Sequence, residues 1–175
     1  TGSNGKTSVK ALLLSILGRV GGAYANPGNR NNEIGLPLAV LDAPDDARFA
    51  VYEMGAGKPG DIAYLTSIAR PDVALVNNIA PAHLERMGSL LGVADTKAAI
   101  YDALADDGVA VVNADDAFAP YFLARAQGRR SVAQGVPLVE QRGHLGVHCE
   151  LLAGVGLRLA REDVFVALDA RLDRL

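Results

Sequence analysis

The sequence predicts an α/β protein: a phosphate-loop-type, mostly parallel sheet flanked by helices. Three observations predict it. The chain opens on TGSNGKTSVK, where Gly5-Lys6-Thr7 reads as the end of a phosphate-binding loop. Apolar runs of strand length alternate with amphipathic stretches of helix length, the order that builds a parallel sheet covered on both faces. Glu53, Asn77, Asn78 and Asn113 fall at the carboxyl ends of the apolar runs, where such sheets bind ligands.

The elements follow in order. SVKALLLSILGR (8–19) sets Val9, Leu12, Leu13, Ile16 and Leu17 on one helical face, and Gly21-Gly22 stop that helix. Lys6 and Thr7 therefore sit at a helix N-terminus, where free N–H groups and the helix dipole attract anions. NPGNRNNEIG is a polar, turn-rich loop, and LPLAVLDA a short helix. FAVYEMGA (49–56) is a buried strand with a glycine turn. DIAYLTSIAR (61–70) is a helix ended by Pro71, and VALVNNIA (73–80) the next strand. SLLGVADTKAAIYDALAD (89–106) is a long helix and GVAVVNADD (108–116) a strand with its exit loop. AFAPYFLARAQG is a short helix and RRSVAQGV a further strand. The main domain is expected over 1–135. Over 136–175, short strands split by Gly and by Arg161-Glu162-Asp163 suggest a small antiparallel subsidiary sheet.

Composition excludes several functions. Across 175 residues, 17 Lys and Arg stand against 20 Asp and Glu, a net charge of −3, so no basic excess exists to hold nucleic acid. Trp is absent and aromatic residues make up 5%, which leaves no base-stacking platform. The single cysteine, Cys149, fits a reducing compartment. No apolar run reaches the roughly 18 residues of a membrane span, so no membrane insertion is expected. The first glycine of G-x-x-x-x-G-K-[ST] would fall one residue before Thr1, and the strand that feeds such a loop earlier still. The chain therefore reads as an excerpt of a longer protein.

Each candidate residue carries a plainer alternative. Gly2 and Gly5 let backbone approach phosphate oxygens, Lys6 neutralises their charge, and the Thr7 hydroxyl suits Mg²⁺. A glycine turn with a surface lysine is the alternative, made weaker by the helix that follows directly. Glu53 ends a strand, where it holds a metal or faces solvent. His83, in NNIAPAHLE, is a metal ligand or proton carrier in many sites, though a lone loop histidine is more often polar surface. Lys97 flanks an apolar helical face, where a lysine ordinarily keeps its head in water. Asn26, Asn29, Asn31 and Asn32 supply donors and acceptors suited to sugar, amide or phosphate, or else bond their own turns. Asp115-Asp116 do acid–base work, bind ribose or cap the next helix, with the cap favoured for Asp116.

TGSNGKT, NPGNRNNEIGLPLAVL, YEMGA, ARPDVALVNNIAPAHLERMGS, GVADTKAAIYDAL and GVAVVNADD, in this order, resemble the central ATP-binding domain of the Mur ligases over residues 1 to about 120. The Asn-rich segment most resembles the member that joins D-Ala-D-Ala to a UDP-muramoyl tripeptide. The resemblance implies a cytoplasmic ligase of peptidoglycan synthesis that activates a carboxylate as an acyl phosphate with ATP and Mg²⁺, two ions by the family pattern. It implies that Gly2, Ser3, Asn4, Gly5, Lys6, Thr7 and Ser8 hold the phosphates, and that Thr7 and Glu53 serve one Mg²⁺. His83 then matches the second metal position, and Lys97 a lysine that family members carbamylate. Asn29, Asn31 and Asn32 would face the UDP-sugar peptide, and Asn113 the nucleotide. Ala98-Ala99 depart from the family, which has Gly-Glu there. The resemblance also implies flanking N- and C-terminal domains, without which the excerpt is expected to be inactive. Another Mur-type ligase, a folylpolyglutamate synthase relative and a nucleotide-binding module without ligase activity are the alternatives.

Overall fold

A computed structural model describes residues 1–134. The subsidiary sheet expected over 136–175 lies outside the described residues.

The helices start and stop for local reasons. Gly5, at φ 72°, turns the chain in the left-handed region that favours glycine, and α1 (Lys6–Leu17) begins at the next residue. Helix α2 (Gly35–Leu41) starts where the Asn32 side-chain oxygen accepts from Gly35 N at 2.7 Å. Helix α3 (Asp61–Ala69) has Asp61 in its first turn, a favourable charge at a helix N-terminus. It stops at Arg70, because the residue before Pro71 is disfavoured in the helical region. Helix α5 (Leu90–Asp102) is capped by Ser89, whose hydroxyl accepts from Gly92 N. Helix α6 (Ala119–Arg125) carries Pro120 in its first turn.

All strand pairs of the described residues are parallel. Strands β1 (Ala23–Ala25) and β2 (Phe49–Val51) form one pair, in register Ala23 with Phe49. Strands β3 (Val73–Val76), β4 (Val109–Asn113) and β5 (Arg130–Gln134) form a second sheet in that order. Central β4 buries Ala110, Val111 and Val112 in succession, the near-continuous apolar run of a strand covered on both faces. Thr1 lies along β3: its N-terminus donates to Leu75 O and its carbonyl accepts from Asn77 N, each at 2.9 Å.

The core gathers Leu36, Met54, Ile62, Leu65, Val76, Ile100, Tyr101, Val112 and Phe122. Fully buried Tyr101 stacks at a tilt on Phe122, centroids 5.8 Å apart. Its hydroxyl accepts from Val76 N at 3.1 Å and donates to Val111 O at 2.8 Å, so α5 is bolted to β3 and β4 together.

Two elements stand where the sequence pattern marks neither helix nor strand. Strand β1 follows the Gly21-Gly22 stop and is only three residues long, too short for an alternation pattern. The four-residue helix α4 (Leu84–Met87) follows His83, which takes φ 52°. Of the α1 face, Val9 and Leu17 are buried and Leu12, Leu13 and Ile16 half-buried, while Lys10, assigned no role by the pattern, is buried at 8% exposure.

Candidate functional site

The phosphate-loop residues are pinned against the exit of β3. Gly2 is buried, and a Cβ there would fall 2.9 Å from Asn77 Cβ, so glycine permits the close approach. Ser3 Oγ donates to Ala80 O at 3.0 Å and accepts from Ala80 N at 2.9 Å. Asn4 N donates to Asn78 Oδ1 at 2.9 Å, and Asn77 Nδ2 donates to Asn4 O at 2.8 Å. Lys6 Nζ turns back onto Ser3 O at 3.3 Å. Ser8 is exposed on α1.

Glu53 is the meeting point. The sequence allowed it to face solvent; it is buried, at 5% exposure. Its Oε2 accepts from the Thr7 hydroxyl at 3.0 Å and its Oε1 from Asn31 Nδ2 at 2.7 Å. Lys10 Nζ lies 3.4 Å from Oε2. Burial pushes the Glu53 pKa up, but hydrogen bonds from Asn31 and Thr7 and the charge of Lys10 outweigh it and hold the carboxyl below the usual range.

Lys97 does not keep its head in water. It is 2% exposed. Burial, reinforced by the charge of Lys6, lowers its pKa to about 8. A lysine in this state presents roughly a tenth of its amine in the neutral, nucleophilic form at pH 7, far more than an ordinary lysine does.

A cleft of about 400 Å³ opens beside these groups. Of the residues singled out by sequence, Gly2, Ser3, Lys6, Asn31, Asn32, His83 and Lys97 line it, whereas Asn4, Gly5, Thr7, Ser8, Asn29, Glu53 and Asn113 do not. Asn29 is exposed in the loop before Asn31, and its carbonyl accepts from Asn31 N at 2.7 Å. Asn113 donates to Asn77 O at 2.9 Å and ties the ends of β3 and β4 together. Asp116 is not the cap of α6, a position held by Phe118. Its carboxylate instead accepts from Ile79 N and Phe118 N, at 2.7 and 2.8 Å, and joins the two strand-exit loops.

Sequence reasoning missed Lys58, Asp61 and Arg86 of the cleft wall. The glycine turn Gly55–Gly57 was the available signal for the first two, because a turn at a strand's carboxyl end brings the next helix start to the site. With them the wall carries Lys6, Lys58, Arg86 and Lys97 against Glu33 and Asp61. Asp61 Oδ2 is already engaged by Gly57 N and Lys58 N. The cleft is thus electropositive and suited to an anion.

The Thr7–Glu53 oxygen pair is a donor set that fits Mg²⁺, a hard cation that prefers oxygen. Among the described residues no three His, Cys, Asp or Glu side chains gather to hold a metal by themselves. That suits an ion completed by water and phosphate oxygens rather than a protein cage.

The glycine loop ahead of α1, the parallel strands and the cleft at their carboxyl ends define an α/β domain of the phosphate-loop type. Residues 1–137 match the Mur ligase middle domain. The chain belongs to that family. Over 116 residues it is 47% identical to the UDP-N-acetylmuramoyl-tripeptide–D-alanyl-D-alanine ligase of Escherichia coli K12, which covers 66% of this chain and 26% of that protein. The same ligase of Bacillus subtilis is 41% identical over 116 residues, covering 66% of this chain and 25% of that one. A MurF crystal structure from Acinetobacter baumannii superposes with a TM-score of 0.81 at 29% identity, over 91% of this chain and 41% of its own. MurF from Thermotoga maritima in complex with ADP superposes at 0.75 with 29% identity, over 91% and 43%. The chain spans about a quarter of the length of the curated relatives it matches.

No helix of the described residues is long and apolar enough to cross a membrane.

Proposed function

We propose that the chain is the ATP-binding part of a ligase that adds D-Ala-D-Ala to a UDP-N-acetylmuramoyl tripeptide, in the bacterial cytoplasm, with flanking domains of the same protein completing both substrate sites. One observation carries this reading. A single buried carboxylate, Glu53, takes a hydrogen bond from Thr7 of the phosphate loop and another from Asn31 of the Asn-rich loop. A nucleotide-binding element and a candidate sugar-peptide element thus share one anchor, as a carboxylate-to-phosphate transfer requires. The named relatives and the ADP complex of a structural neighbour support it.

In this reading the amides of residues 2–7 and Lys6 hold the ATP phosphates, and Thr7 and Glu53 hold one Mg²⁺, with Ser8 and Asn113 toward the nucleotide. Bound Mg²⁺ neutralises charge on the transferring phosphoryl group. The acceptor carboxylate attacks the γ-phosphorus and ADP leaves. The incoming amine then attacks the acyl carbon, and phosphate leaves as the amide forms. His83 and Lys97 line the same cleft. The neutral fraction of the Lys97 amine adds CO₂ and loses a proton to give a carbamate, which with His83 would hold a second Mg²⁺. Asn29, Asn31 and Asn32 meet the sugar peptide. The isolated chain does not ligate, since lost positioning can remove roughly 7–11 kcal/mol of barrier lowering.

The test is ATP-dependent phosphate release by the full-length protein, with UDP-muramoyl tripeptide present, with and without D-Ala-D-Ala, repeated in Lys97→Ala. Release that needs both substrates and collapses in the variant is expected. Release indifferent to the dipeptide overturns the assignment.

A further inference from the structure

Lys10 has no part in the function just proposed, yet it is the most heavily bonded buried cation of the described residues. It leaves α1 one turn after Lys6 and is 8% exposed. Its ammonium donates to Asn26 O and Gly28 O, each at 2.8 Å, and lies 3.4 Å from Glu53 Oε2. Two carbonyls thus accept from the ammonium, and the Glu53 carboxylate stands beside it as an ion pair.

The distances rank these contacts. The two carbonyl bonds are short and the carboxylate contact long, so the grip of Lys10 is first on the 26–28 backbone and second on Glu53. What that backbone carries is decisive. Asn26, 1% exposed, brackets the Glu53 peptide: its Oδ1 accepts from Glu53 N at 2.8 Å and its Nδ2 donates to Glu53 O at 3.1 Å. The same Nδ2 donates to Arg30 O at 2.8 Å, which fixes the turn that delivers Asn31. Asn31 then reaches Glu53 Oε1, and its carbonyl accepts from Gly55 N at 2.8 Å.

We propose that Lys10 is a positioning residue: it clamps the 26–31 loop to the phosphate-loop helix so that Asn31 and Thr7 together orient the Glu53 carboxylate toward a divalent cation. The inference rests on the Mg²⁺ role given to Glu53 above. It adds that metal affinity is set by a lysine that touches neither metal nor nucleotide. Partners behind a metal ligand commonly change affinity by about 10–100-fold when removed. A pure charge effect would run the other way, because removing a cation beside a metal-binding carboxylate favours the metal. The direction of the change therefore separates positioning from electrostatics.

The experiment measures ADP binding to the full-length protein by calorimetry, in EDTA and across a Mg²⁺ titration. The proteins are wild type, Glu53→Gln, Lys10→Met, Lys10→Arg, Asn31→Ala and the Lys10→Met/Asn31→Ala double variant. Lys10→Met is expected to bind ADP in EDTA within about twofold of wild type and to need about tenfold more Mg²⁺ for the tightened state. Lys10→Arg, which keeps charge and donors, recovers most of this. The double variant is no worse than the worse single, as for two residues acting through one contact. If Lys10→Met does not fold, Lys10→Gln carries the same comparison. An unchanged or lowered Mg²⁺ requirement overturns the proposal. So does an equal loss of ADP binding in EDTA, the mark of a merely structural lysine. A wild type whose ADP binding ignores Mg²⁺, or a Glu53→Gln variant that keeps the Mg²⁺ effect, overturns instead the metal role of Glu53 on which the inference stands.

Discussion

Thr7 donates its hydroxyl to Glu53 at 3.0 Å across 46 residues of sequence, which joins the first turn of α1 to the segment just after β2. The carboxylate end of this bond is ionised in the fold, and acid should reveal it. Because its folded pKa lies below the ordinary 4.5, Glu53 binds its proton more readily when unfolded. Its stabilisation is complete above that ordinary value and is lost as pH falls from there through the lowered one. Urea midpoints of the metal-free protein should drop on acidification through this window, with a shallower slope in Glu53→Gln. Parallel slopes would mean the carboxylate is not held ionised.

Tyr101→Phe should cost about 1–3 kcal/mol in chemical denaturation, much for a change of one oxygen. The hydroxyl is buried, and its loss leaves Val76 N and Val111 O without that partner. Burial raises the phenol pKa, so the group stays protonated and the bridge persists into alkaline solution. A loss below about half a kcal/mol would show that water or a strand shift satisfies both groups.

Gly35→Ala should damage acceptor binding while sparing the nucleotide. A Cβ at Gly35 would lie 2.6 Å from Arg30 Cα, a backbone atom with no rotamer to yield. The 30–32 turn must then move off α2, taking with it Asn31 and the Asn32 bond to Gly35 N. Steady-state kinetics on the full-length protein at saturating Mg²⁺, where a weaker hold of Asn31 on Glu53 is masked, should show KM for UDP-muramoyl tripeptide rising severalfold, with KM for ATP nearly unchanged. Equal rises in both would place the damage at the phosphate loop instead.

The fold was largely legible because its signals are local. Gly5 and Pro71 mark helix ends by backbone geometry and Ser89 by its capping hydroxyl, and the run 109–112 is apolar on both faces as a central strand must be. The site was legible only in part. Glu53 and Lys97 were visible as residue types at suggestive places, but their burial is a property of packing among distant segments. No window around Lys97 reveals that Lys6 shares its cleft 91 positions away. Lys10 was another recoverable miss. It stands three, four and seven residues before Leu13, Leu14 and Leu17, on the face that must be covered, where a lysine needs partners.

That same cost makes Lys97 the sharpest test. Its folded pKa of about 8 lies below the ordinary 10.5, so the unfolded chain holds the proton more tightly. Stability should therefore rise as pH climbs from about 8 to 10.5, and below that window the charged amine is a constant burden on the fold. Lys97→Met keeps the volume and removes the charge. In CO₂-free buffer at neutral pH it should unfold at higher denaturant, with a gain of up to about 3 kcal/mol, and should lose the alkaline rise. The same variant of the full-length protein should lose phosphate release. Stability gained with activity lost identifies a residue kept for chemistry against the interest of the fold. A variant that is less stable would show that Lys97 has a favourable partner in solution, and one that keeps the alkaline rise would show that another group causes it.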